Sequence, residues 1–228
     1  RAGGGVLASL PLESYDMEAQ HELAFRTLQS GLNIGKIVVR VTARSYTPNG
    51  THIVTGGTSG VGLLTGRWLS QRGVDHLFLA SRSATLARDT TGEWEAIVAS
   101  GANVSLERCD TGEHSHLRCL AASAGKTQGV WHAAGLLADA VFTKQDALAL
   151  ACVFAPKAHG AFAMHGAFAT AGTGAFVLFS SAVTLFGGAG QANYAAANSC
   201  LDSLASLREA SGVAGTSMQW GAWAEVGM

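Results

Sequence analysis

Three side chains in the C-terminal half have types and spacing suited to passing a proton to a carbonyl oxygen. Ser181 closes the apolar run AFVLFSS, Tyr194 follows thirteen positions later, and Asn198 lies four beyond it. A separation of four puts Tyr194 and Asn198 on one face of a helix. A serine hydroxyl at a strand end can orient a ketone oxygen while a helical tyrosine gives that oxygen a proton as hydride reaches the carbon. A phenol titrates ordinarily near pH 10, so a neighbouring cation is expected to lower the Tyr194 pKa. Taken singly, a tyrosine is amphipathic packing and a lysine on a helix is solvated; only the joint pattern carries chemistry.

A second group of residues suits a dinucleotide. The first apolar run, HIVTGG, opens into Gly56, Gly57, Thr58, Ser59, Gly60, Val61 and Gly62. Glycines let a backbone turn tightly and approach a pyrophosphate, whose charge then meets the N-terminus of the following helix. The spacing is G-x-x-x-G-x-G rather than the commoner G-x-G-x-x-G, and the competing reading is a turn that packs a helix on a sheet. The next run ends Ser81-Arg82, twenty positions after Gly62, with no acid. An acid there holds a ribose 2′-hydroxyl, whereas a cation suits a 2′-phosphate. Arg82 can clamp that phosphate and Ser81 can donate to it, which points to NADPH; the alternative is a solvated surface arginine. The third run ends Cys109-Asp110, where Asp110 either accepts from an adenine amino group or caps the next helix.

These residues need a scaffold that brings strand ends together. From residue 51 the chain alternates apolar runs (HIVTGG, HLFLASR, NVSLERCD, GVWHAAG, AFVLFSS, TSMQWG) with helical stretches such as Val61–Gln71 and Tyr194–Ala210. Continuous apolar strands separated by helices predict an α/β fold, a Rossmann-like doubly wound parallel β-sheet with helices on both faces. Ligands then bind beyond the carboxyl ends of the strands, where every motif above falls. Residues 1–42 read differently: Met17, Leu23, Ala24, Phe25, Leu28 and Leu32 form an amphipathic helical pattern, followed by a strand over Lys36–Val41. Residues 43–50, with Pro48, Asn49 and Gly50, read as a linker.

Composition narrows the function classes. Hydrophobic residues make up 48% and charged residues 14%, a core-rich globular balance, and a formal charge of −1 argues against nucleic acid as the main partner. The cysteines at 109, 119, 152 and 200 form no C-x-x-C pair, so neither a disulfide framework nor a metal site is expected; His159 and His165, six apart, do not form a metal pair either. Reduced cysteines fit an intracellular location, in the cytoplasm or an organelle. No apolar run is expected to reach the roughly 20 residues of a membrane span. Starting at Arg1 without an initiator Met, the sequence reads as part of a longer polypeptide.

Residues 51–228 resemble the ketoreductase domain of type I polyketide synthases and animal-type fatty acid synthases, within the short-chain dehydrogenase/reductase superfamily. The matching runs are TGGTSGVG, ASRS, CD, VWHAAGLLAD, APKAHGA, FSS, GQANYAAAN and QWGAWAEVGM. Ordinary members of that superfamily carry a lysine four after the tyrosine; synthase ketoreductases place an asparagine there and take the lysine from an earlier helix. The resemblance therefore implies a tetrad of Lys157, Ser181, Tyr194 and Asn198, and a cofactor pocket lined by the backbone of Ala133, Ala134 and Gly135. It implies reduction of a β-ketoacyl chain held on the phosphopantetheine of an acyl carrier protein domain, with neighbouring synthase domains as partners. His132 reads as packing, and Trp220 and Trp223 as core or cleft wall. Leu137-Ala138-Asp139 keeps the last acid of the family's L-D-D run, and Phe186 stands where the opposite stereochemical class has Trp, which leans to the Asp-bearing class. AFRTLQSGLNIGKIVV resembles the closing helix and strand of an enoylreductase domain, so 1–42 is expected to be its remnant. The family's lid helix and last strand would extend past Met228. The competing readings are a free-standing reductase of small ketones and a non-catalytic domain that keeps the fold.

Overall fold

The computed structural model describes residues 12–40, 49–168 and 172–223, and the chain divides into two compact units, Arg1–Tyr46 and Thr47–Met228. Apart from Asn49 and Gly50, the expected linker lies outside the described residues, as do the last five residues of QWGAWAEVGM.

The first unit is a β-α-β element. Strand β1 (Leu12–Asp16) pairs in parallel with β2 (Lys36–Arg40), and α1 (Met17–Ser30) connects them. The sequence reading anticipated α1 and β2 but not β1, whose LESYD lacks apolar alternation. Asp16 starts the helix by accepting from the Ala19 N–H at 3.0 Å. Of the apolar pattern on α1, Ala24 is buried, whereas Met17, Leu23, Phe25, Leu28 and the following Leu32 are exposed. A two-stranded ladder carries too little surface to cover a whole helix face.

In the second unit, a six-stranded parallel sheet runs in the order β5-β4-β3-β6-β7-β8. Its strands are β3 (Thr51–Thr55), β4 (His76–Ser81), β5 (Asn103–Arg108), β6 (Thr127–His132), β7 (Ala175–Ser181) and β8 (Thr216–Trp220). Each overlaps one of the six runs read from the sequence, β3 starting one residue and β6 two residues before its run. The helices are α2 (Gly60–Ser70), α3 (Thr91–Ala99), α4 (His114–Ala124), α5 (Ala147–Phe154), α6 (Gly160–Ala167), α7 (Val183–Phe186) and α8 (Ala192–Ala210), with a π-turn at Ala155–His159 between α5 and α6. Alternate strand residues feed two cores. Ile53, Val130, Phe176 and Leu178 pack with residues of α4, α6 and α8, while Val54, Leu77, Leu79 and Val177 pack with residues of α2 and α3. Burial on both faces is why the strands read as continuous apolar runs. Strand order reverses between β3 and β6, and a crevice opens there at the carboxyl ends.

One expectation needs correction. The run Ala147–Ala167 is helical for 21 residues with mean hydropathy 1.4, long and apolar enough by those measures to cross a bilayer. Two short helices joined through a π-turn produce that length. The run carries the buried Lys157, and its Ala161 and Met164 lie in the core beside the sheet, as in an inner helix of a folded domain.

Candidate active site

The end of β3 builds one wall of the cleft. Gly56 takes φ +69°, and a Cβ there would lie 2.8 Å from Ala134 N and 2.9 Å from Ala133 O. A Cβ on Gly62 would drive into the Gly56 carbonyl, and one on Gly57 would lie 2.7 Å from Val54 O. Side chains are thus excluded where the loop folds back to start α2, so that backbone of Gly56, Gly60 and Gly62 faces the cleft at a helix N-terminus. Thr58 is buried and ties the loop to the next one, its carbonyl accepting from the Ala87 N–H at 3.0 Å.

Of the polar residues at the next two strand ends, Ser81 Oγ accepts from the Ala84 N–H at 3.1 Å, which leaves its own proton free to donate. Arg82 is exposed and has no hydrogen bond or ion pair among the described residues. Cys109 is buried, and burial pushes its thiol up to about 11. Asp110 does not cap α4: its Oδ1 accepts from the Gly112 N–H at 3.0 Å, and Glu113 is the helix N-cap. A dinucleotide with a 2′-phosphate fits this set, since the glycine cradle, a free hydroxyl and an unpaired guanidinium follow one another along the strand ends.

The opposite wall comes from β6, β7, the π-turn and α8. A cleft of about 540 Å³ is lined by Gly56, Ser59, Gly60, Val61 and Gly62 from the loop, Ala133 and Gly135 after β6, and Lys157, Ser181 and Tyr194. That volume suits a bound small molecule. Gln191, Phe186, Trp220 and Trp223 add to its rim. Gly57, Thr58, Ser81, Arg82, Cys109, Asp110, Ala134 and Asn198 do not line it.

Lys157 turns inward from the π-turn and is 3% exposed. Its Nζ donates to Phe179 O at 2.9 Å and to Asn198 Oδ1 at 2.8 Å, and it sits 5.1 Å from the centroid of the Tyr194 ring. Gly135 clears the path for its stem: a Cβ there would lie 2.9 Å from Lys157 Cε. Burial holds the ammonium down to about 7, opposed by the Asp202 carboxylate. Asn198 is fully buried behind the lysine, and its Nδ2 donates to the Tyr194 carbonyl at 2.8 Å.

Tyr194 departs from one expectation. Burial raises its pKa, against the hydrogen bonds of Asn198 and Ser181, which lower it; the Asp139 carboxylate adds to the rise. A lowered value was expected from a neighbouring cation. The reason is geometric: Lys157 faces the ring and spends two donors on Phe179 O and Asn198 Oδ1, so desolvation of the phenolate dominates. Asp139, from the run after β6, accepts from Gln191 Nε2 at 3.0 Å, and Phe186 is 85% exposed.

His132 reads from the sequence as packing. It is fully buried and hydrogen-bonded at both ring nitrogens, Nδ1 with Thr55 Oγ1 at 2.7 Å and Nε2 with Lys157 O at 3.0 Å. Thr55 and His132 are register partners at the ends of β3 and β6. The legible signal was a polar residue closing each of two apolar strands; their pairing needed the sheet order.

The KR domain family matches residues 50–225. Polyketide synthase GfsB of Streptomyces halstedii is 41% identical over 227 residues, 98% of this chain and 4% of that protein. Erythronolide synthase EryA2 of Saccharopolyspora erythraea is 36% identical over 225 residues, 98% of this chain and 6% of that protein. Among solved structures, an A-type ketoreductase from a modular polyketide synthase superposes with TM-score 0.77 at 34% identity, covering 82% of this chain and 41% of that one. The first ketoreductase of the tylosin synthase gives 0.74 at 37%, with the same coverage. The chain thus spans a few per cent of the length of these curated relatives and about two fifths of these solved structures.

Proposed function

This chain belongs to the KR domain family, the ketoreductases, and from that premise we propose that it reduces a β-ketoacyl thioester, tethered to an acyl carrier protein domain, to the β-hydroxyacyl thioester with NADPH. NADPH, when bound, supplies the hydride. The residues that would hold it are the backbone of Gly56–Gly62 at the pyrophosphate, Ser81 and Arg82 at the 2′-phosphate, Asp110 toward the adenine, and the backbone of Ala133, Ala134 and Gly135 alongside.

The observation that carries the reading is the convergence of Ser181, Tyr194 and Lys157 on one cleft that also receives the glycine loop. Ser181 Oγ orients the ketone oxygen, and the Tyr194 hydroxyl donates the proton that turns this oxygen into the alcohol. Lys157 stabilises the tyrosinate left behind, and Asn198 fixes Lys157. Each turnover consumes one hydride, one proton and one ketone, and Tyr194 regains its proton from solvent.

Apolar groups at the rim, Phe186, Trp220 and Trp223, suit an acyl chain, and neighbouring synthase domains would deliver it. Residues 1–42 fit the proposed enoylreductase remnant, and the scattered cysteines fit an intracellular, reducing location. The test is reduction of a β-ketoacyl thioester of a pantetheine-type thiol by the full-length protein, followed by loss of NADPH fluorescence. Turnover with NADPH and little with NADH is expected. NADPH binding without turnover would favour a non-catalytic domain, and equal rates on small unactivated ketones would favour a general reductase.

A further inference from the structure

His132 belongs to no step above, yet it is bonded at both nitrogens and ends on the backbone of the proposed lysine. That carbonyl lies in the π-turn, where Gly160 N–H is shared between Ala155 O and Lys157 O. A shared donor leaves acceptor capacity on both carbonyls, and π-turns of this kind are frequent at functional sites. Two consecutive carbonyls of the turn take side-chain donors from outside. Thr111 Oγ1 donates to Pro156 O at 3.0 Å, and His132 Nε2 meets Lys157 O at 3.0 Å. Both donors are buried, and a Cβ on Gly160 would lie 2.9 Å from Thr111 Cβ, so the turn and the Thr111 loop are in close contact.

The bonds also fix a tautomer. Lys157 O can only accept, so Nε2 carries the proton; Nδ1 then accepts from the Thr55 hydroxyl. Burial holds the imidazole neutral, down to about 4.

We propose that His132, set by Thr55 and seconded by Thr111, is a positioning residue that clamps the π-turn and thereby aims the Lys157 ammonium at Asn198 and the Tyr194 ring. This rests on the reading of Lys157 as part of the reducing site. A displacement of about 1 Å in such a group can cost as much as a hundredfold in rate.

Amide side chains of two lengths test it in the full-length protein. Gln carries its amide N–H about where His Nε2 lies, and Asn places it near Nδ1. His132→Asn should lower kcat by about tenfold or more, with NADPH Kd and substrate KM within about twofold, and His132→Gln should recover most of the loss. Wild-type turnover in His132→Asn overturns the proposal, and so does an equal loss in both variants, which would reduce His132 to packing. Should His132→Asn not fold, the near-isosteric Thr55→Val decides: reduced kcat at unchanged NADPH affinity supports the clamp, and unchanged kcat overturns it. Lys157→Met separates the two readings. If it turns over normally, the role of Lys157 itself fails; if it is inactive while His132→Asn is not, only the clamp fails.

Discussion

Lys157 Nζ donates to Asn198 Oδ1 at 2.8 Å, deep behind the cleft and away from solvent. The residue four after the tyrosine therefore does not supply the charge; it holds the side chain that does. Asn198 also ties to its own helix through the Tyr194 carbonyl, so it sets the lysine relative to the tyrosine.

Asn198→Leu keeps the volume and removes this bond. A hydrogen bond to a charged group contributes about 1.5–3 kcal/mol, so kcat should fall roughly tenfold or more while the NADPH Kd stays within about twofold. Stopped-flow binding beside steady-state turnover reads both quantities. An unchanged kcat would return Asn198 to helix packing.

Tyr194→Phe removes the hydroxyl and keeps the ring beneath Lys157. Loss of a general acid typically costs about 10²–10⁴-fold in rate, with cofactor affinity preserved. Near-native turnover would mean that the proton reaches the ketone by another route.

Most of this site was legible because its parts sit at strand ends and on helix faces, where period and punctuation show in one dimension. The TGGTSGVG loop declares itself by its glycines, and Tyr194 and Asn198 by a four-residue step. Lys157 is different: nothing local distinguishes it from a solvated lysine, and only the resemblance singled it out. Its burial depends on the π-turn and on Gly135 leaving room for its stem, both of which are tertiary facts. The Thr55–His132 pair was hidden for the same reason, since residues 77 apart meet only through sheet order. The direction of the Tyr194 shift was missed because a cation near a ring was expected to outweigh burial, and here it does not.

Arg82 stands exposed just past the end of β4 with no hydrogen-bond or ion-pair partner among the described residues, open to a phosphate. Arg82→Ala should raise the NADPH KM by roughly ten- to a hundredfold and leave the NADH KM nearly unchanged, since only NADPH carries the 2′-phosphate. Initial rates with each cofactor measure the ratio, and equal effects on both would remove Arg82 from the phosphate site.

Lys157 also leaves a mark on stability against pH. Folded, it is held down to about 7, against 10.5 for an ordinary lysine, so between these values the unfolded chain binds a proton that the folded chain releases. Stability should therefore rise with pH across that window, by up to about 1.4 kcal/mol per pH unit. Cys109 works the other way: held up to about 11 from 9.0, it keeps a proton when folded that the unfolded thiol gives up, so from pH 9 its contribution falls and offsets the continuing rise from Lys157. On the acid side, His52 and His132 are held down to about 4 from 6.5, and stability falls as pH drops through that range. The window for Lys157 alone is thus pH 7 to 9. Urea midpoints of Lys157→Met should lose the rise there, keep the acid loss, and decline from pH 9, where the wild type stays level. Turnover reports the same proton, because the wild-type rate of ketone reduction should decline as the ammonium is lost above pH 7, whereas the variant stays low and flat. Parallel stability curves for the two proteins between pH 7 and 9 would mean that Lys157 keeps its ordinary affinity for the proton, and that burial does not tune the group assigned to the proposed reducing site.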